Sequence, residues 1–121
     1  MAVMQSRDNR TFTAGADLST SQFKFVKLDG ADVVPGTAGD NAMGVCLNNP
    51  ASGGAATVCV SGKALVECGG GVAAGAAVAV VDATGRIADA VATDIILGYA
   101  LETGVTGQIV AIEVIQGGNA A

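Results

Sequence analysis

Short stretches in which apolar and polar residues alternate, separated by Gly, Asn and Asp, recur roughly every ten residues along this chain, the pattern of many short β-strands. The alternation predicts strands at 23–28, 32–34, 42–47, 56–60, 64–68, 76–81, 86–88, 95–102 and 108–115. Between them Asp29-Gly30 has the chemistry of a tight hairpin, residues 48–54 of a longer loop and Asp82-Ala-Thr-Gly85 of a type I turn with a Gly bulge. Ser61-Gly62-Lys63 fits a further hairpin turn, and the Ala-rich stretch 72–78 allows at most one helical turn because Gly75 interrupts it. The predicted class is all-β: a compact barrel or sandwich of short strands.

Sliding the chain against itself by 54 positions aligns Gly15 with Gly69, Val26 with Val80, Asp40 with Asp94, Gly44 with Gly98, Leu47 with Leu101, Gly53 with Gly107 and Val60 with Val114. Val33/Ile87, Met43/Leu97 and Val58/Ile112 match conservatively, all without a gap. Two duplicated halves sharing one core, related by an approximate two-fold axis, follow from this register. Side chains two apart share a strand face, so Val58, Val60, Ile112 and Val114 are expected inside, with Cys59 and Glu113 outside. Met43, Val45 and Leu47, with Leu97, Tyr99 and Leu101, are expected inside as well, Gly44 and Gly98 permitting a bulge or close backbone approach. Leu65, Ile109 and Ile115 then leave an apolar exterior that either a partner covers or a second layer of a sandwich buries. Residues 1–13 are polar and without period. They read as an extended N-terminal arm whose Arg7, Arg10 and Phe12 are candidate contacts with another surface. Residues 14–116 form the single β domain and 117–121 a flexible tail.

Composition narrows the chemistry. Eighteen Gly and two Pro among 121 residues disfavour a helical bundle, while 50% hydrophobic and only 14% charged residues exclude a disordered chain. With three Phe, one Tyr and no Trp, the core is built from small side chains. A net charge of −5 without any Lys/Arg cluster argues against nucleic acid. The apolar run 68–81 is too short and too Gly-rich to span a membrane, and the first ten residues lack a signal-peptide apolar region, so a cytoplasmic site of synthesis is expected. Cys46, Cys59 and Cys68 have neither disulfide nor zinc spacing and read as small apolar residues. Without a single His, Ser/His/Asp and Cys/His sites are excluded and most catalytic metal sites lose their usual ligand. Gly69-Gly-Gly-Val-Ala-Ala74 fits a relaxed GxGxxA pattern, but a strand-like run follows where the dinucleotide motif needs a helix. Ser61-Gly62-Lys63 lacks the first P-loop Gly, Thr57 standing there, and has Ala64 in place of the magnesium-ligating Ser or Thr. Asp82, Asp89 and Asp94 stand singly among turn residues. No catalytic residue, cofactor or metal is expected, and the chain reads as a non-enzyme.

The run Thr13-Ala-Gly-Ala-Asp-Leu-Ser19 followed by Phe23-Lys-Phe-Val-Lys-Leu28 resembles the opening of the small Gly/Ala-rich capsid decoration, or cement, proteins of tailed bacteriophages. Asp40-Asn-Ala-Met-Gly-Val45, Ala56-Thr-Val-Cys-Val-Ser-Gly62, Val72-Ala-Ala-Gly75, Asp82-Ala-Thr-Gly-Arg86 and Leu97-Gly-Tyr-Ala-Leu-Glu102 resemble its later blocks in the same order, over about residues 13–115. The resemblance implies a β domain that binds the outer surface of an assembled icosahedral shell and reinforces it, without catalysis or cofactor. The expected partners are the major capsid protein and other copies of this chain, as a homotrimer or a homodimer, with no nucleic acid and no membrane. Its expected location is the outer surface of the virion head, after assembly in the host cytoplasm. The competing reading is a carbohydrate- or receptor-binding β module of a phage tail or surface structure, for which the chain has few aromatic faces to offer.

Overall fold

The alternating runs fold into nine strands of one continuous sheet, with no helix among the described residues. The structure, a computed structural model, describes residues 5–38, 41–91 and 95–119, and gives the backbone alone for 5–8 and 116–119. In chain order the strands are β1 (Gln5–Ala14), β2 (Phe25–Asp29), β3 (Asp32–Pro35), β4 (Gly44–Cys46), β5 (Ala55–Glu67), β6 (Ala77–Val80), β7 (Ile87–Asp89), β8 (Ile95–Ala100) and β9 (Ile109–Asn119). Their order across the sheet is β1-β3-β2-β4-β5-β9-β8-β6-β7, and β1 also pairs with β5. That extra pairing closes β1, β3, β2, β4 and β5 into a five-stranded barrel. From β5 the sheet continues through β9, β8, β6 and β7, and a parallel bridge between Cys68 and Ile87 brings the end of this second ring back to β5.

The second ring repeats the first with the expected 54-residue offset. The Cys68–Ile87 bridge is the counterpart of Ala14↔Val33 between β1 and β3. Val45↔Cys59 and Cys46↔Val58 recur as Tyr99↔Glu113 and Ala100↔Ile112. Arg10↔Val58 recurs as Ala64↔Ile112. Even a side-chain cap is repeated: Thr57 N–H donates to Asn48 Oδ1 at 3.0 Å and Ala111 N–H donates to Glu102 Oε2 at 2.9 Å. Only β6 departs from the register. Phe25↔Val45 corresponds to Ala77↔Tyr99, so Val26 matches Val78 and not Val80. The loop before β6 is two residues shorter than its counterpart, and the turn after β6 is longer by the same amount. Phe23, the one described non-glycine residue with positive φ (64°), is the counterpart of Gly75 (84°), and each N–H donates to a paired carbonyl, Cys46 O and Ala100 O. The gapless alignment is therefore corrected by a compensated two-residue slip.

Each ring has its own packing. Ala14, Leu18, Val26, Val33, Cys46, Ala56 and Val58 form the smaller cluster, with Phe12, Met43 and Val60 against it. Their counterparts Cys68, Val72, Val78, Ile87, Ala100, Val110 and Ile112 belong to the larger cluster. Phe25, Val45 and Cys59 also join that larger cluster. They lie on the outer face of the first barrel, and the second ring covers them. The single core expected from the sequence is replaced by two clusters in two successive rings, with β5 serving both: its first part closes the first barrel and its second part opens the next.

Four local expectations are corrected. Residues 5–14 do not stand off as an arm, because β1 pairs with β5 from Gln5↔Lys63 to Thr13↔Ala55. The last strand runs on to Asn119, through most of the expected tail. Ser61-Gly62-Lys63 lies within β5 and not in a hairpin turn. Val45, Leu47, Tyr99 and Leu101 do not point into the barrels, since the strand face reverses at the glycine before each pair, with a register shift between Ile96 and Gly98. A Cβ on Gly44 would sit 2.2 Å from Cys59 O and one on Gly98 2.3 Å from Glu113 O, so the close approach needs glycine at both places. Met43 and Leu97, ahead of these glycines, do face the cores.

Candidate functional site

The side chains with reactive potential serve the fold. All three cysteines are buried and none forms a disulfide among the described residues. The Cys46 thiol donates to Asn48 O at 3.1 Å and the Cys59 thiol to Ser61 O at 3.2 Å. Burial, the larger effect, pushes the Cys46 thiol above its ordinary pKa, and the polar backbone at Asn48 acts in the opposite direction. Burial raises Cys68 too, reinforced by the negative charges of Glu67 and Glu102. Thiols held protonated and away from solvent are poor nucleophiles. Among the described residues no three His, Cys, Asp or Glu side chains come together to hold a metal ion.

Asp82 organises the turn between β6 and β7. Its Oδ1 accepts from Thr84 N–H at 2.9 Å and Thr84 Oγ1 at 2.7 Å, and its Oδ2 from Arg86 Nε at 2.7 Å. Partial burial disfavours the charged carboxylate, yet the bonds from Thr84 and Arg86 outweigh it and hold the Asp82 pKa below its usual value. Arg86 Nη1 also reaches Glu67 Oε2 at 3.6 Å, tying the turn to β5. The Gly69-Gly70-Gly71 segment carries Gly69 N–H to Ile87 O, continuing the β5–β7 junction. No helix follows it, as the strand-like sequence implied.

The three candidate contact residues of the N-terminal segment are separated by the structure. Arg7 lies outside the described side chains. Arg10, Phe12 and Ala14 share the barrel-facing side of β1: Ala14 is buried, Phe12 packs against the smaller core and Arg10 is exposed. Phe12 is thereby anchored on the first barrel and remains partly exposed.

The exposed apolar residues that remain concentrate on the second ring. On its outer face the cross-strand row Tyr99–Glu113–Lys63 links β8, β9 and β5. Leu65 stands opposite Ala111 and is half-buried, while Ile109 and Ile115 project from β9. Tyr99 is 40% exposed and Leu101 48%. Val91, 66% exposed, follows the end of β7. Tyr99 and Leu101 were missed as surface residues from sequence alone; the signal that could have found them was Gly98, read as a bulge that reverses the strand face.

No family model matches this sequence. No curated relative matches it either. Among solved structures, the N base of the head fiber gp8.5 in bacteriophage phi29 is similar in fold, with a TM-score of 0.74 over 94% of this chain and 98% of that one, at 14% sequence identity. At that identity the likeness establishes the all-β fold.

Proposed function

We propose that this chain is a structural protein of a tailed-bacteriophage virion that attaches to the outside of the head and reinforces it. The observation that carries the reading is the fold likeness to a head fiber base, which extends over nearly the whole of both chains. The order of the sequence blocks shared with capsid decoration proteins points the same way. A stiff sheet exposing Tyr99, Leu101, Ile109 and Ile115 has the character of a docking face. The mechanism is interfacial: a rigid module loses little entropy on docking, and several copies held together engage neighbouring major capsid protein subunits at high effective concentration. About 800 Å² per partner is the usual scale of one stable contact. A homotrimer or homodimer supplies that multivalency, and Arg10 on β1 is a candidate polar contact beside the shell.

Sedimentation tests this directly. Purified protein incubated with expanded heads of the cognate phage is expected to pellet with them to a saturating stoichiometry and to raise their resistance to heat or chelator. Protein left in the supernatant at saturating concentration defeats the proposal.

A further inference from the structure

Among the described residues the second ring packs on the outer face of the first through its β6–β7 hairpin, and each half of that contact has a related surface elsewhere on the molecule. On the first barrel the acceptor is the outer sheet face at Phe25 and Val45, which are 1% and 0% exposed. The β6–β7 hairpin of the second ring lies on it: Phe25 N–H donates to Gly85 O at 2.9 Å, and a Cβ on Gly85 would meet Phe25 O at 2.2 Å. Through the repeat, Phe25 corresponds to Ala77 and Val45 to Tyr99. Gly36, whose N–H donates to Phe25 O, corresponds to Ala90, whose N–H donates to Ala77 O. The equivalent acceptor on the second ring is therefore the patch at Ala77, Ala90 and Tyr99, with Val91 beside it, where Tyr99 is 40% and Val91 66% exposed. The related donor is the β2–β3 hairpin of the first barrel, whose turn is two residues shorter than that of β6–β7, whose Leu28 is 43% exposed and whose Gly30 has open space around it.

We infer that the β2–β3 hairpin of one protomer seats on the β8–β6 face of the next, so that copies of this chain associate head to tail. That face presents Tyr99, Leu101 and Val91 to solvent. A second copy is the occupant because the internal interface already shows a unit of this kind filling the matching surface. The shared strand is not reproduced between chains: β9 ends by pairing with β8 through Ile96↔Gly118 and Ile95↔Asn119, so hairpin and sheet face alone form the contact. Such a contact is heterologous, with different surfaces on its two sides, and closes into a ring when the rotation permits.

Analytical ultracentrifugation of the whole chain tests it. Wild-type protein is expected to sediment as an oligomer, and Leu28→Asp and Tyr99→Lys each as a folded monomer by circular dichroism. Each variant keeps the half that the other has lost, so an equal mixture is expected to give a dimer and nothing larger. Should Tyr99→Lys not melt cooperatively, Val91→Lys probes the same face. A wild-type monomer at about 100 μM, well above the micromolar range of ordinary specific contacts, overturns the inference. So does either variant assembling like the wild type, or a mixture that stays monomeric. A monomeric wild type that still pellets with heads overturns this contact and leaves the attachment reading standing.

Discussion

Gly98→Ala is a severe test of the repeat, because it adds one methyl group where two strands touch through backbone. The new Cβ would lie 2.3 Å from Glu113 O, 3.2 Å from Glu113 C and 3.4 Å from Ile112 Cδ1. The carbonyl is about 1 Å inside ordinary contact, and it belongs to β9, which is held by β5 on its other side. Moving β8 away by that amount stretches bonds near 2.9 Å beyond hydrogen-bonding range. One to three ladder bonds at about 1 kcal/mol each, with overpacking strain of about 1–3 kcal/mol, give roughly 2–6 kcal/mol in total. For a domain of this size, at about 4 °C per kcal/mol, that lowers Tm by roughly 8–24 °C. Gly44→Ala, with its Cβ 2.2 Å from Cys59 O and 2.9 Å from Val58 Cγ1, is expected to cost a similar amount in the first barrel. Gly71→Ala, with nothing within 4 Å, and Ala83→Val, in an exposed turn, serve as controls expected within about 0.5 kcal/mol of wild type. Thermal and urea melts followed by circular dichroism read all four. A Gly98→Ala protein melting within about 2 °C of wild type refutes the close-approach reasoning.

Truncation of residues 1–11 removes the strand paired with β5 from Thr57 to Lys63, so the first barrel is expected to open, with a lower Tm and new binding of a hydrophobic dye; an unchanged melt contradicts the closure by β1. Native protein is expected to leave all three thiols unmodified by an alkylating reagent at neutral pH and to expose all three in denaturant, as mass spectrometry would count; rapid labelling of Cys46 or Cys68 in the native state disproves their burial. Asp82 has a folded pKa lowered below its unfolded 3.8, so its contribution is present above that value and lost as pH falls through the folded pKa. Asp82→Asn is then destabilising at pH 7, by less than about 1 kcal/mol after solvent screening, and the gap to wild type closes below about pH 4; a gap that widens on acidification contradicts the sign.

The period-two alternation, the spacing of turns and the self-match near offset 54 depend on local chemistry, so the chain by itself determined an all-β fold of two related units. It also located the close approaches, because Gly44 and Gly98 recur where a larger residue would otherwise continue the alternation. Tertiary structure decided everything that depends on which edges meet. Polar Asn9, Thr11 and Thr13 carry no inward apolar signal, yet β1 is a strand because the edge of β5 offers partners for its backbone, a source of pairing energy that side-chain pattern does not record. Ser61-Gly62-Lys63 has turn composition but lies within a strand shared by both rings. Likewise Val45 and Tyr99 are equivalent in sequence and in register, and Val45 is sealed because the second ring packs on it while Tyr99 is 40% exposed. Burial of an outer sheet face is a property of what stands next to it, and the residues on that face do not encode their neighbour.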